Sequence, residues 1–251
     1  MSIADKILRA KEDYDNVYDA GKGKGYTEGY ARGFDEGKKT EYDAFWDEFQ
    51  LNGTRTNYSY AFAGSGWHGE TFKPKYKIVL PSEGYNVQGV FFRFGDESKP
   101  TIDYRTIADK IDTTQITSAQ NLFNSAKFNY IDVDLSNCNT LYMCFRAEWH
   151  RTYTTHIEVK VSEKCTDFSY AFDYQWDLTD LTFKDGSVIV ASIVLSDCPL
   201  SRESIENIVT TLSTTSSGKT LTLNADAVHN AFTDAEWSAL KATRPNWSFN
   251  V

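Results

Sequence analysis

Several features that would classify a chain at once are missing from this one. No apolar run approaches the roughly 18 residues of a membrane-spanning helix. The opening "MSIADKILRAKEDYD" carries charges every few residues where a secretory signal has an apolar core. Together these predict synthesis in a cytoplasm, no export by the ordinary secretory route and no membrane insertion. Clustered Lys and Arg are missing too. The formal charge is -9, from 26 basic and 35 acidic side chains, and phosphate binding needs a basic field that survives the surrounding acids. That excludes nucleic acid as the main partner; the most basic stretch, residues 73–77, contains a proline and no arginine. The four cysteines, Cys138, Cys144, Cys165 and Cys198, lack the paired spacing of a zinc site.

Catalytic arrangements are lacking as well. The histidines are His68, His150, His156 and His229, and none stands in a nucleophile, metal or acid-base pattern. His150 and His156 are six apart, in a stretch that reads as loop entering strand. The "SGKT" at residues 217–220 has the ending of a phosphate loop. Its preceding glycine is absent and a strand pattern follows, so it reads as a turn. Asp132 and Asp134 fall on one face of a strand, a placement a glycosidase could use, but also that of the solvated face of any half-buried strand. The reading assigns no catalytic residue, metal or cofactor: not an enzyme.

What the chain does contain falls into three regions. Residues 1–50 read as helix. Ile3, Ile7, Ala10, Tyr14 and Val17 recur at steps of 4, 3, 4 and 3, a coiled-coil seam about two heptads long. Gly25, Gly29, Gly33 and Gly37 follow at every fourth residue, with Tyr26, Tyr30 and Phe34 behind the first three. Glycine costs about 1 kcal/mol in a helix relative to alanine, and short isolated helices are marginal in water. The segment therefore predicts burial against other copies, where absent side chains let backbones approach closely. A trimer is favoured; a flexible glycine-rich linker is the alternative. Tyr42, Phe45, Trp46 and Phe49, at helical spacing, read as a plug for the next domain.

Residues 51–198 hold a degenerate repeat. "NYSYAFAGSGW" returns as "DFSYAFDYQW", with "VQGVFFRFG", "AQNLFNSAKF" and "LYMCFRAEW" between, and a phenylalanine recurs at one phase: Phe62, Phe91 or Phe92, Phe123, Phe145 and Phe172. Trp67, Trp149 and Trp176 trail three of them by four or five residues. Cys138, Cys165 and Cys198 precede Phe145, Phe172 and Ile205 by seven, so the cysteines occupy one repeat slot and read as small buried groups rather than disulfides. Alternating segments "YKIVLP", "YIDVDLSN", "HIEVKVSE" and "SIVLSD" read as half-buried strands. Units spaced by 22 to 33 residues that cannot bury their own faces must stack, which predicts an α/β fold of short parallel strands with helical or irregular returns.

Residues 199–251 change texture into capping repeats. Ser201 is the expected N-cap of an amphipathic helix with Ile205, Ile208, Val209 and Leu212 on one face. "GKTLTLN" reads as a strand, Thr233 and Glu236 as a capping box, and "NWSFNV" as the closing strand.

On the strand, the Asn-Cys or Asp-Cys turn of "LSNCNTL" and "LSDCPLS", and the phenylalanine of "SYAF", the chain resembles bacterial leucine-rich repeats of the BspA-like type. The segments "EYDAFWDEFQLNGTRTNYSYAFAGSGW" and the stretch from "LSRESIENIV" to "ATRPNW" are similar to parts of tail and baseplate-associated proteins of phages and prophages of Gram-positive gut bacteria. The resemblance spans roughly residues 20–251. It implies an irregular leucine-rich-repeat solenoid, a virion location at the tail or baseplate, and a part in host receptor binding. The units are longer and less regular than the family's, and "GDESKPTIDYRTIADKIDTT" reads as an insertion that interrupts them. The expected partners are other copies, other virion proteins through the N-terminal segment, and host cell-surface polysaccharide or protein. The alternative is a bacterial surface or secreted adhesin. Phe, Tyr and Trp make up 15% of the chain; Trp67, Trp149, Tyr153, Tyr174 and Trp176 are the candidate binding residues, set against a packing ladder that would show the same phase.

Overall fold

The computed structural model describes residues 59–64, 77–82, 87–95, 100–148 and 153–251. The chain divides into two units, Met1–Phe45 and Trp46–Val251, and all described residues belong to the second. The expected oligomerisation residues (Ile3, Ile7, Tyr14, Val17, Gly25, Gly29, Gly33 and Gly37) lie outside the described residues, as do Trp67 and Trp149.

The fold is α/β with parallel sheets. In chain order its elements are β1 (Ile78–Val79), β2 (Ile102–Asp103), α1 (Arg105–Ala108), β3 (Ile111–Asp112), β4 (Phe128–Asp134), β5 (His156–Lys160), β6 (Asp180–Phe183) and β7 (Ile193–Leu195). These are followed by α2 (Arg202–Thr211), β8 (Lys219–Leu223), α3 (Ala225–Ala231), α4 (Asp234–Ala242) and β9 (Trp247–Asn250). Three parallel sheets form: β1-β3, β2-β4-β5-β6 and β7-β8-β9. Register follows chemistry. Ile131, Ile157 and Leu181 align across the central sheet, as do Val133, Val159 and Phe183. All six are buried, and the alternate positions face outward, because successive strand side chains point to opposite faces.

Between the strands, the returns of the first units are stacked turns, not helices. Phe62 N–H donates to Val90 O (3.0 Å), Phe91 N–H to Leu122 O (2.9 Å), Phe123 N–H to Cys144 O (2.9 Å) and Phe145 N–H to Ala171 O (3.0 Å). The residues two before each phenylalanine make the same step, Tyr60 to Gln88, Gly89 to Gln120, Asn121 to Tyr142 and Met143 to Ser169. Inside, Phe62, Phe91, Phe123, Phe145 and Phe172 stack through five units with centroids 5.9, 5.5, 5.8 and 5.4 Å apart. Phe91, fully buried, holds the repeat phase; Phe92 is half-buried.

The position two before each of these phenylalanines is left-handed in every unit: Tyr60 (φ 52°), Gly89 (61°), Asn121 (55°), Met143 (54°) and Tyr170 (56°). Only one is glycine. Left-handed backbone costs a non-glycine residue about 1–2 kcal/mol, so the interunit hydrogen bonds and the ring stack must outweigh it at Tyr60, Asn121, Met143 and Tyr170.

Two expectations need correction. The stretch read as an insertion is part of the stack: β2 pairs with β4, β3 pairs with β1, and Thr113 Oγ1 donates to Asp134 O (3.0 Å). It supplies one strand broken by the single helical turn α1, because Tyr104 and Ile107 turn inward there and are buried. The cysteine slot is the second. Cys138 Sγ donates to Ile116 O (3.4 Å), and Ile116 stands seven residues before Phe123, so an isoleucine fills the slot one unit earlier. Cys198 repeats the local turn, its N–H bonding Leu195 O as Cys138 N–H bonds Leu135 O, yet its sulfur faces Phe172 O (3.8 Å) rather than Cys165. All four thiols are free and buried.

Cys198 shifts because the element type changes here. Among the described residues no strand pairs with the outer edge of β6 in the central sheet; α2 lies along that edge instead. Ser204 Oγ accepts Leu181 N–H (2.9 Å), and Asn207 accepts Phe183 N–H (2.7 Å) while donating to Phe183 O (3.1 Å). Side chains thus meet the backbone groups a strand edge would leave unpaired. The expected caps all form. Ser201 accepts from Ser204 N–H, Thr233 and Glu236 make a reciprocal capping box, Gly218 (φ 66°) turns into β8, and the "NWSFNV" strand appears as β9.

Candidate functional site

Two outward surfaces carry the side chains able to recognise something. The first is the solvent face of the central sheet. The register places Asp103, Tyr130, His156 and Asp180 in one row and Asp132, Glu158 and Thr182 in the next. Arg105, at the start of α1, lies with its guanidinium carbon 3.6 Å from the centre of the Tyr130 ring, and Tyr130 stacks on His156 at 4.3 Å and 11°. Arginine, tyrosine and histidine thus form three layers across α1, β4 and β5.

Carboxylates fix this stack. Asp103 receives Arg105 Nε and Nη2 at 3.0 and 2.6 Å, and these bonds hold its carboxyl below the usual range. Tyr130 Oη donates to Glu158; partial burial and then that bond push the phenol up to about 12. His156 has Glu158 at 3.6 Å from Nε2 and Asp180 at 3.8 Å from Nδ1. Lys184 pairs with Asp132. Beside this row, where α1 interrupts the strand, a cleft of about 200 Å³ opens, lined by Lys77, Tyr104, Asp112, Asp132, Asp134 and Lys184 among others.

The second surface is the outside of the turns. Tyr174 and Trp176 meet edge to face at 5.7 Å, Arg146 lies 5.2 Å over Tyr174, and Tyr142 meets Tyr170 at 5.9 Å. Trp176 is 39% and Tyr170 54% exposed. The structure therefore brings together two of the expected binding residues, Tyr174 and Trp176. Tyr153 stands elsewhere, just ahead of β5 with Lys127 Nζ 5.2 Å over its ring. The packing ladder runs through the phenylalanines, and Trp176 is outside it.

Reading the sequence missed Arg105, Tyr130 and His156. Their signal is present, since each outward strand position is one residue from a buried one. It emerges only when "TIDY", "NYIDV", "THIEV" and "DLTF" are aligned as neighbours. Asp132 and Asp134 do lie on the outward face. Among the described residues no group of three or more His, Cys, Asp or Glu side chains is arranged to hold a metal ion, and no helix is long and apolar enough to cross a membrane. Burial pushes the Cys165 thiol up to about 12 and those of Cys138, Cys144 and Cys198 upward as well, which leaves no reactive thiolate among them.

No protein-family model, no curated protein sequence and no solved structure matches the chain.

Proposed function

We propose that the chain is a structural component of a phage virion, attached at the tail or baseplate, and that it takes part in adsorption to the host cell. In this reading residues 51–198 form an irregular leucine-rich-repeat solenoid and residues 199–251 cap it. Residues 1–50 associate with other copies as a trimer and anchor the assembly to neighbouring virion proteins.

The observation that carries the reading is the division between an invariant interior and a varied exterior. The same five buried phenylalanines stack through the turns, while the outward positions of adjacent strands hold Tyr130, His156 and Asp180 in one row and Asp132, Glu158 and Thr182 in another. A rigid ladder of this kind displays exchangeable side chains without disturbing its core. Multiple copies on one particle would turn weak single contacts into firm attachment. The resemblance to tail-associated repeat proteins supplies the biological setting, and the role is binding, not catalysis.

The test has two parts. Particles induced from the strain that encodes the chain are labelled with an antibody against it and imaged; label is expected at the tail tip or baseplate. Purified chain added before infection is expected to slow adsorption. Label absent from particles, or adsorption unaffected at saturating chain, overturns the reading. Light scattering of the full chain against a version beginning at Leu51 is expected to give a trimer and a monomer.

A further inference from the structure

The cleft at the break in the stack has a floor that packing alone does not account for. Tyr104 is 1% exposed, its ring wedged edge to face against Phe91, Phe123 and Phe128 at 5.9, 5.1 and 5.4 Å. Its backbone N–H donates to Tyr130 O, but its phenolic oxygen makes no hydrogen bond, although the residue lines the cleft. The hydroxyl is not sealed in the core but is left accessible at the cleft floor, and phenylalanine would fill the same space in the ring cluster without offering a polar group there. Burial and the nearby Asp132 carboxylate both disfavour its ionisation, so it faces the cleft as a neutral phenol able to donate and accept.

The walls divide into groups already satisfied and groups with capacity left. Asp112 is occupied: Thr114 N–H and Oγ1 reach it at 3.0 and 2.6 Å, and Lys77 lies at 3.8 Å. Asp134 accepts only Ser136 N–H, at 2.9 Å, and has no cation. Lys184 pairs with one oxygen of Asp132, leaving the other oxygen and the remaining ammonium protons for a ligand. The free set is therefore a phenol, two carboxylate oxygens and ammonium donors. A volume of about 200 Å³ holds roughly six or seven waters at about 30 Å³ each, well below a drug-sized site and suited to one small ring.

We infer that this cleft is a saccharide subsite that takes a single hexose unit bearing hydroxyls or an amine and no acid group. Tyr104 and Asp134 make its hydrogen bonds, with Asp132 and Lys184 at its side. Vicinal hydroxyls each donate and accept, matching a carboxylate beside a phenol and an ammonium group. Three carboxylates against two lysines, on a chain of net charge -9, disfavour an acidic sugar. This deepens the receptor-binding reading by naming the ligand class, and it rests on that reading only for its biological meaning.

Titration calorimetry of the full chain tests it, using three tetrasaccharides: deacetylated chitotetraose, cellotetraose and tetragalacturonate. The first two are expected to bind and the acidic one to bind at least tenfold more weakly. Tyr104→Phe and Asp134→Asn are each expected to weaken binding about tenfold, with Asp226→Asn, exposed on α3 and not part of the cleft lining, as wild type. Tyr104→Phe should also melt no lower than wild type, since it removes an unpartnered hydroxyl and keeps the ring. Binding of none of the probes, preference for the acidic one, wild-type affinity in Tyr104→Phe, or a melting temperature clearly lowered by that change would each overturn the inference. Because the titration needs no virion, it can fail while particle labelling succeeds, and the reverse.

Discussion

Between residues 59 and 176 the turns pass their backbone N–H groups from one unit to the next, whereas from Ser201 onward most return within helices closed by side-chain caps. The first region has left-handed residues in every turn and a single file of phenyl rings; the second has two such sites in all, Gly186 and Gly218, if the approach to it through β6 and β7 is included. The difference is one of cooperativity. A helix satisfies itself and asks its neighbours only for apolar cover. A stacked turn is strained until its neighbour is in place, so each unit in the first region depends on the next.

The largest effect is expected at the centre of the stack. Phe123 lies between Phe91 and Phe145 and also meets Tyr104 and Phe128. Phe123→Ala should cost about 3–5 kcal/mol in urea unfolding. A loss below about 2 kcal/mol would mean that the rings do not act as a column, and the contrast between the regions would weaken.

Glycines sharpen the same comparison. Gly95, in the turns, has φ 110°, and an added Cβ would lie 2.6 Å from Lys127 Cβ. Gly95→Ala therefore combines backbone strain with a clash, about 3 kcal/mol in total. Gly218, ahead of β8, has φ 66° and nothing within 4 Å, so Gly218→Ala should cost about 1 kcal/mol. Equal losses would show that the turns are no more tightly held than the cap.

The junction comes next. Asn207→Ala leaves Phe183 N–H and C=O without partners at the β6 edge, with an expected cost of about 2 kcal/mol. The control Thr210→Ala, one turn along on the exposed side of α2, should stay within about 0.5 kcal/mol. If the two variants unfold together, water serves the edge as well as the asparagine does.

This contrast also explains what could be read in advance. Alternating Ile131, Val133, Ile157 and Val159 gave away the strands, and the recurring phenylalanine gave away the stack, because both are patterns of burial. Ser201, Thr233 and Glu236 marked helix starts, because capping is local chemistry between residues three apart. The left-handed turn positions were invisible: Tyr60, Asn121, Met143 and Tyr170 share no side-chain property, and what puts them there is the hydrogen bond to the next unit. The supposed insertion failed for a related reason, since Ile102 and Ile111 become strand residues only by pairing with Phe128 and Ile78. The candidate cleft depends on that break, and Tyr104 read as one more aromatic.

The smallest effect concerns acid, and it isolates the cap. Glu236 accepts Thr233 N–H at 2.8 Å and Thr233 Oγ1 at 2.7 Å, with Arg202 Nη1 at 3.1 Å. The backbone bond from Thr233 first, then the hydroxyl and the guanidinium, pull its carboxyl down to about 2 from an ordinary 4.5. A carboxyl depressed by folding contributes stability that is fully present above its unfolded value and is lost as pH falls through the native one. Wild type should therefore lose this contribution between pH 4.5 and about 2. Glu236→Gln lacks it throughout, so its melting temperature should lie slightly below wild type at neutral pH, fall less steeply through that window, and meet the wild-type curve near its acid end. The stacked turns supply the background against which this is read: at Asp167 partial burial is outweighed by the bonds from Ser169 and Thr140, which hold the carboxyl low, and the substitution touches none of these groups. Parallel curves over the whole window would show that Arg202 and the cap leave the carboxyl as it is in the unfolded chain, and that the charge of Glu236 does nothing to hold α4.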